Sequence, residues 1–211
     1  MRIAITSIVA GVDDDIAVSF ELCEGENRSV SKFWISIAAY TQFSLSVGES
    51  SQNVFDAVER ESKIHFAYKK GLCLLGFGMQ SKKRLQYKLL AKGCEAEFAR
   101  EAIERLVENR LLVEEDSAVR EAEKCVEKLW GGARIRAHLV NKGYSESAIN
   151  EVFFALDDEG VDFSYNCETL IKKKYLPLPK DKKEMQKIIT SLIRYGYSLS
   201  QIKAAMIKMV L

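Results

Sequence analysis

The chain has 211 residues, 47% of them apolar, which is enough for one large domain or two small ones with buried cores. Its net charge of +1 conceals an asymmetry: residues 1–60 carry 4 Lys/Arg against 9 Asp/Glu, a net of −5, whereas residues 61–211 carry 27 against 21, a net of +6, so only the second part suits a polyanionic partner. Five widely spaced cysteines without a C-x-x-C pair, and only two histidines, favour reduced thiols in a cytoplasmic protein and argue against a disulfide framework or a structural zinc site.

The first 52 residues are expected to form a small β-rich extension. Apolar and polar residues alternate from Ile3 to Ser7 and again over 16–23, with GVDDD between them as a turn. Residues 29–33 suit a third strand and residues 34–43 a short helix. The apolar run at the N-terminus is only about eight residues long, so it predicts a strand and no signal peptide or membrane span.

Beyond this extension the chain repeats itself. Three stretches align on a final glycine: KRLQYKLLAKG ends at Gly93, ARIRAHLVNKG at Gly143 and KIITSLIRYG at Gly196. Apolar residues recur eight, four and three positions before each glycine, which places them on one face of a helix that the glycine ends in a left-handed conformation. A second helix is expected after each glycine, with Ser145 and Ser198 as N-caps.

A further helical stretch precedes each aligned helix, at 54–75, 117–129 and 163–175, so each unit has three helices. Pro177 and Pro179 form a short, stiff linker within the third unit. The prediction is a mainly α fold of tandem three-helix repeats in a curved array, at 53–113, 114–162 and 163–211, preceded by the β-rich N-terminal extension at 1–52.

Catalytic spacings such as G-x-S-x-G and H-E-x-x-H do not occur in the sequence, and we expect no enzyme, metal or cofactor. Gly131 and Gly132 follow a helix, where a phosphate-binding loop would follow a strand, so they are expected to stop that helix in a tight turn. His65 and His138 are each expected to lack a nearby nucleophile or metal-ligand partner and to lie on solvated helix faces.

The distribution of charge argues against reading of the DNA major groove by a helix-turn-helix. The helices after the three glycines sum to −5, whereas a helix that reads the groove should be positive. The helices before the glycines are basic, and position −9 is basic in all three units (Arg84, Arg134 and Lys187). Stacked repeats would align these residues into cationic ridges; the alternative interpretation is a solvated face without a partner.

The helical part resembles the RecX family of bacterial recombination regulators. The likeness is carried by GGARIRAHLVNKGY in the second repeat, by KKKY (172–175), QK (186–187) and LIRYGYS (192–198) in the third, and by Ser81, LQYKLLAKG (85–93) and ERLVENRLL (104–112) in the first. It covers about residues 60–210 in the right order. The β-rich extension is similar in pattern to that of longer family members.

The resemblance implies a non-enzymatic protein that binds the RecA–DNA filament and inhibits RecA ATPase and recombinase activity in DNA repair, recombination and the SOS response. We expect a monomer without a membrane partner. The alternative is a helical-repeat protein that binds single- or double-stranded DNA through its phosphates, without sequence preference and without RecA. A helical scaffold with purely solvated ridges is a third possibility. The residues predicted to bind the partner are Arg84, Lys88, Lys92, Arg134, Arg136, Lys142, Lys172, Lys173, Lys174, Lys187 and Arg194.

Overall fold

The computed structural model describes residues 2–209, which form ten helices and a four-stranded sheet at the N-terminal end. This architecture confirms the predicted mainly α fold with a small β-rich front. The chain divides into two compact units: unit 1 is Met1–Gly78 with Leu85–Leu112, and unit 2 is Met79–Arg84 with Val113–Leu211. The first and last predicted segments end at residues 1 and 211, which lie outside the described residues. The division into four domains stays a prediction, and so does the curvature of the array.

The sheet of unit 1 is antiparallel with strand order β3-β2-β1-β4. Its elements are β1 (Arg2–Ala10), β2 (Asp15–Glu24), β3 (Asn27–Ser36), α1 (Ile37–Phe43) and β4 (Gly48–Ser50). The helix predicted over 34–43 was wrong at its start, because Ile35 and Ser36 still pair with β2. The Ser36 hydroxyl then accepts a hydrogen bond from the Ala39 N–H at 3.1 Å and caps α1.

Three helices complete unit 1: α2 (Gln52–Gly76), α3 (Lys82–Ala91) and α4 (Ala96–Glu108). The long helix α2 serves two cores, since Val58 packs against the sheet while Ile64 and Ala67 pack against α3 and α4. Because one continuous helix serves both cores, the β-rich extension and most of the first repeat belong to the same unit. The first residues of α3, up to Arg84, are grouped with unit 2.

A partly buried ionic cluster joins the sheet to α2. Asp15 at the start of β2 accepts hydrogen bonds from His65 at 2.7 Å and Lys69 at 2.9 Å. Burial raises the pKa of Asp15, but the hydrogen bonds from Lys69 and His65 outweigh that effect and hold the pKa below its ordinary value. His65 is 8% exposed, so its predicted place on a solvated helix face was wrong.

We expect Asp15→Asn to lower the free energy of unfolding of unit 1 by about 1–2 kcal/mol at neutral pH, because the buried His65 and the Lys69 ammonium lose a charged acceptor. Since the folded-state pKa lies below the unfolded-state value, this stabilisation is present above the unfolded pKa and is lost as the pH falls through the folded one. Urea unfolding from neutral to acidic pH, followed by the fluorescence of Trp34 in a Trp130→Phe background, measures it. The exposed Glu24→Gln is the control, and equal stability of Asp15→Asn and wild type at neutral pH would contradict the expectation.

Unit 2 holds the second and third repeats, each around its own core. The helices are α5 (Glu114–Glu127), α6 (Gly132–Asn141) and α7 (Glu146–Asp158), then α8 (Phe163–Lys174), α9 (Lys182–Arg194) and α10 (Leu199–Ile207). The predicted N-caps are confirmed, because Ser145 and Ser198 accept backbone hydrogen bonds from Ala148 and Gln201. No helix among the described residues is long and apolar enough to cross a membrane.

The repeats meet through the same two positions at both junctions within unit 2. Ser81 lies twelve residues before Gly93, the glycine that ends the middle helix of its own repeat. Its hydroxyl donates a hydrogen bond of 2.7 Å to the carbonyl of Lys142, which lies one residue before Gly143. Gly131, also twelve residues before its glycine, donates its N–H to the carbonyl of Tyr195, one residue before Gly196, at 2.8 Å. The sequence repeat is therefore also a repeat of contacts, in which the start of one middle helix contacts the end of the next.

The role predicted for Gly131 and Gly132 was wrong. The helix before them, α5, ends through Leu129, whose φ is +57°, while Gly131 has a φ of −80° and is the N-cap of α6. An added Cβ at Gly131 would lie 2.3 Å from the Gly196 oxygen. The close approach of two backbones therefore requires a glycine at position 131. The left-handed conformation occurs instead at the glycines that end the middle helices, such as Gly143 and Gly196, whose φ angles are +81° and +92°.

Candidate partner-binding surface

The eleven predicted residues all lie on the middle helices, on α8 or directly after these helices, and none of them is buried. Arg84 and Lys92 are exposed and Lys88 is half-buried. Arg84 and Lys88 lie on α3 and Lys92 directly after it, but Arg84 belongs to unit 2 and the other two residues to unit 1. The other eight residues lie in unit 2.

A shallow groove of about 260 Å³ runs along α9 and is lined entirely by polar side chains. We call it the α9 groove, and its lining residues are Lys183, Gln186, Lys187, Thr190, Ser191 and Arg194. Spacings of three and four residues place them on one side of the helix. The groove combines three cationic groups with an amide and two hydroxyls, which are groups that bind phosphate or carboxylate oxygens.

Basic side chains from α6 and α8 meet on one aromatic ring in unit 2. The Arg134 guanidinium lies 4.0 Å from the ring centre of Trp130 and 5.1 Å from that of Tyr195. The Lys174 ammonium lies 4.7 Å from the same Tyr195 ring centre and donates to its hydroxyl. We call Trp130, Arg134, Lys174 and Tyr195 the Tyr195 cluster. Cation–π contacts hold both cations. Arg134 is therefore half-buried, whereas a residue on a solvated ridge would be exposed.

Two other predicted residues contact acidic groups. Lys172 pairs with Glu168 at 2.6 Å one turn away on α8, and Lys142 pairs with Glu121 at 2.8 Å. The hydrogen bond that Lys172 donates to the Glu168 carboxylate raises the pKa of Lys172. Burial raises the pKa of Glu121, but hydrogen bonds from His138 and Lys142 outweigh it and hold that pKa below its ordinary value.

His138 also departs from its predicted place on a solvated face. It is half-buried, with Nε2 2.8 Å from Glu121 and its ring edge-on to Trp130 at 5.3 Å. The Cys125 side chain completes this group, since one ligand atom of Glu121, of Cys125 and of His138 all lie within 4.8 Å of one another. The sequence-based statement that His138 lacks metal-ligand partners was therefore wrong.

The remaining predicted residues form no ion pair within the part of the chain that the structure describes. Of the eleven, only Lys142 and Lys172 form an ion pair with a described residue. Arg136 is exposed, donates to the Asn150 side-chain oxygen at 3.3 Å and lies 4.8 Å from the ring centre of Phe153. Lys187 and Arg194 are exposed in the α9 groove. Unpaired cations are the ones that an anionic partner can neutralise without first breaking an internal contact.

The structure adds residues that the predicted set does not contain. Lys183, Gln186, Thr190 and Ser191 line the α9 groove, and Trp130 and Tyr195 hold the cations of the Tyr195 cluster. The spacing of Lys183 and Lys187, one turn apart on a predicted helix, was a usable signal. Nothing in the sequence indicated that Tyr195, next to a helix-ending glycine, would contact helices from two repeats.

Comparisons with known proteins agree with this architecture. No protein-family model matches the chain. Regulatory proteins RecX from Xanthomonas axonopodis pv. citri (strain 306) and from Xanthomonas citri are each 28% identical to it over 147 residues, which is 69% of this chain and 89% of theirs. A crystal structure of a regulatory protein RecX matches 96% of this chain and 99% of its own with a TM-score of 0.75 at 21% identity.

A crystal structure of RecX from Lactobacillus salivarius matches 69% of this chain and 96% of its own, with a TM-score of 0.61 at 19% identity. The fold match with the first crystal structure extends over the sheet of unit 1 as well as the helices, since it covers nearly the whole chain. The relatives found by sequence and the structures found by fold are all RecX proteins, so the chain is similar to RecX regulatory proteins in both its sequence and its fold.

Proposed function

We propose that this protein is a cytoplasmic regulator that binds the RecA–DNA filament and inhibits RecA ATPase and recombinase activity, acting by binding and not by catalysis. The α9 groove carries this proposal: Lys183, Lys187 and Arg194 lie side by side, exposed, and without an ion pair to any described residue. A filament offers DNA phosphates and acidic protein groups at regular spacing, and cations of this kind are complementary to both. The free state of all five cysteines suits a reducing compartment.

The second candidate function, DNA binding without RecA, also draws on unpaired cations. Proteins that hold single strands without sequence preference usually add aromatic faces on which bases stack. In unit 2 the Trp130 and Tyr195 rings are already in contact with Arg134 and Lys174. Contacts to phosphates alone are weak and fall steeply with salt, which favours a partner that also supplies a protein surface.

Sedimentation with filaments distinguishes the two functions. We expect the protein to pellet with RecA assembled on single-stranded DNA at a salt concentration where it no longer binds the same DNA without RecA. Counterion release makes contacts to DNA alone fall sharply with salt, whereas contacts to a protein surface persist. RecA without DNA is the control. Equal binding to bare DNA and to filaments, with the same salt dependence, would instead assign the protein to the second function.

A further inference from the structure

Three different metal-binding side chains converge in the second repeat. Glu121 and Cys125 lie one turn apart on α5, and His138 faces them from α6. A carboxylate oxygen, the thiol sulfur and an imidazole nitrogen lie within 4.8 Å of one another. Cys125 is 1% exposed, while Glu121 and His138 are half-buried, so the group opens from the core towards the surface.

We propose that Glu121, Cys125 and His138 form a binding site for a thiophilic divalent cation, with Zn²⁺ as the expected ion. Zinc takes the same three donor types, at about 2.0–2.3 Å from the metal, so its ligand atoms stand about 3.3–3.8 Å apart in a tetrahedron. The present separations, from 2.8 Å between His138 and Glu121 up to 4.8 Å across the group, bracket that range. Side-chain rotations that move the three ligand atoms by about 1 Å would bring them to tetrahedral separations, and water would be the fourth ligand.

The three donors also select the metal by charge and softness. The Cys125 thiol gives its proton to solvent on binding, His138 takes the tautomer with its proton on Nδ1, and the thiolate and carboxylate together balance the two charges of the ion. A sulfur and a nitrogen donor are poor ligands for Mg²⁺ and Ca²⁺, which prefer oxygen. Zinc and its tetrahedral analogue Co²⁺ fit the set.

A lysine also contacts the carboxylate of this group. The Lys142 ammonium lies 2.8 Å from the same Glu121 oxygen that contacts His138. An ion-pair network of Glu121, His138 and Lys142 needs no sulfur, and the buried sulfur of Cys125 next to it is the observation that points to a metal. Binding of the ion would take over the charge of Glu121 and release Lys142, which is one of the residues predicted to bind the partner.

The test uses CoCl₂ and ZnCl₂ with the full, reduced chain. A thiolate bound to Co²⁺ gives a charge-transfer band in the near ultraviolet, and competition by ZnCl₂ gives the zinc affinity. We expect one equivalent of Co²⁺ to produce the band in wild type and in Cys73→Ser, whose thiol is exposed on α2 and serves as the matched control. In Cys125→Ser the band should disappear and the zinc affinity fall at least about tenfold.

Two further variants keep the proposal falsifiable if Cys125→Ser does not fold. Glu121→Gln and His138→Gln change half-buried positions and should each weaken zinc binding at least about tenfold, with the fold checked by circular dichroism. The proposal is overturned if wild type shows no charge-transfer band, if Cys125→Ser keeps it, or if folded Glu121→Gln and His138→Gln bind zinc as tightly as wild type.

Discussion

Replacing Gly131 by alanine is expected to lower the free energy of unfolding of unit 2 by about 1–3 kcal/mol, the range for an atom forced into a closely packed site. The added Cβ would lie 2.3 Å from the Gly196 oxygen and 2.6 Å from the Tyr197 nitrogen. Both are backbone atoms, so no side-chain rotation relieves the contact. Separating the two segments would also break the hydrogen bond from the Gly131 N–H to the Tyr195 carbonyl, which joins the second and third repeats.

The measurement is urea unfolding followed by far-ultraviolet circular dichroism, to which the helices of both units contribute. Gly76→Ala is the matched control, because a Cβ there meets nothing within 4 Å and the position ends helix α2. That variant should change stability by no more than about 0.5 kcal/mol. A Gly131→Ala protein as stable as Gly76→Ala would mean that the close approach of the two backbones does not hold the repeats together.

Reversing two charges of the α9 groove, as Lys187→Glu with Arg194→Glu, is expected to weaken inhibition of DNA-stimulated RecA ATPase by about tenfold to a hundredfold. Both side chains are exposed and neither pairs with a described carboxylate, so the change acts on the partner and not on an internal contact. Placing like charges against an anionic partner costs more than removing the cations, because repulsion replaces attraction. Arg134 is a poorer choice for reversal, since it stacks on Trp130 and Tyr195.

The matched control changes the net charge equally at another place in the same repeat. Lys203→Glu with Lys208→Glu alters two exposed residues of α10 and its C-cap, outside the predicted binding set. We expect this control to keep its inhibition within about twofold, and urea unfolding should show both double variants to be folded. If the two double variants weakened inhibition equally, the effect would come from the total charge of the protein, and the α9 groove would not be the site that binds the partner.

The helical part of the fold was predictable because its signals are local. The recurring apolar positions and the final glycines indicated the middle helices, and Ser145 and Ser198 marked the helix starts that the structure confirms. Strand β4 has only three residues and exists through its pairing with β1, so no local pattern could indicate it. The start of α1 was misplaced for the same reason, since pairing with β2 extends β3 to Ser36.

The sequence predicted the positive charge of the candidate site but not the contacts that its residues make. Basic residues at recurring positions indicated an anionic partner, but their surroundings depend on contacts between distant segments. Arg134 has the same position in its repeat as Arg84 and Lys187, yet it alone packs between aromatic rings. His138 and Cys125 are thirteen positions apart in sequence and met only because α5 and α6 pack together. Contacts of this kind follow from tertiary packing, which position in the repeat does not encode.

The most direct measurement is the DNA-stimulated ATPase activity of RecA during titration with the wild-type protein. We expect the activity to fall towards the level without DNA as the protein saturates the filament, and to recover when the protein is replaced by Lys187→Glu with Arg194→Glu at the same concentration. RecA activity that stays unchanged at protein concentrations sufficient to coat the filament would contradict the proposed inhibition.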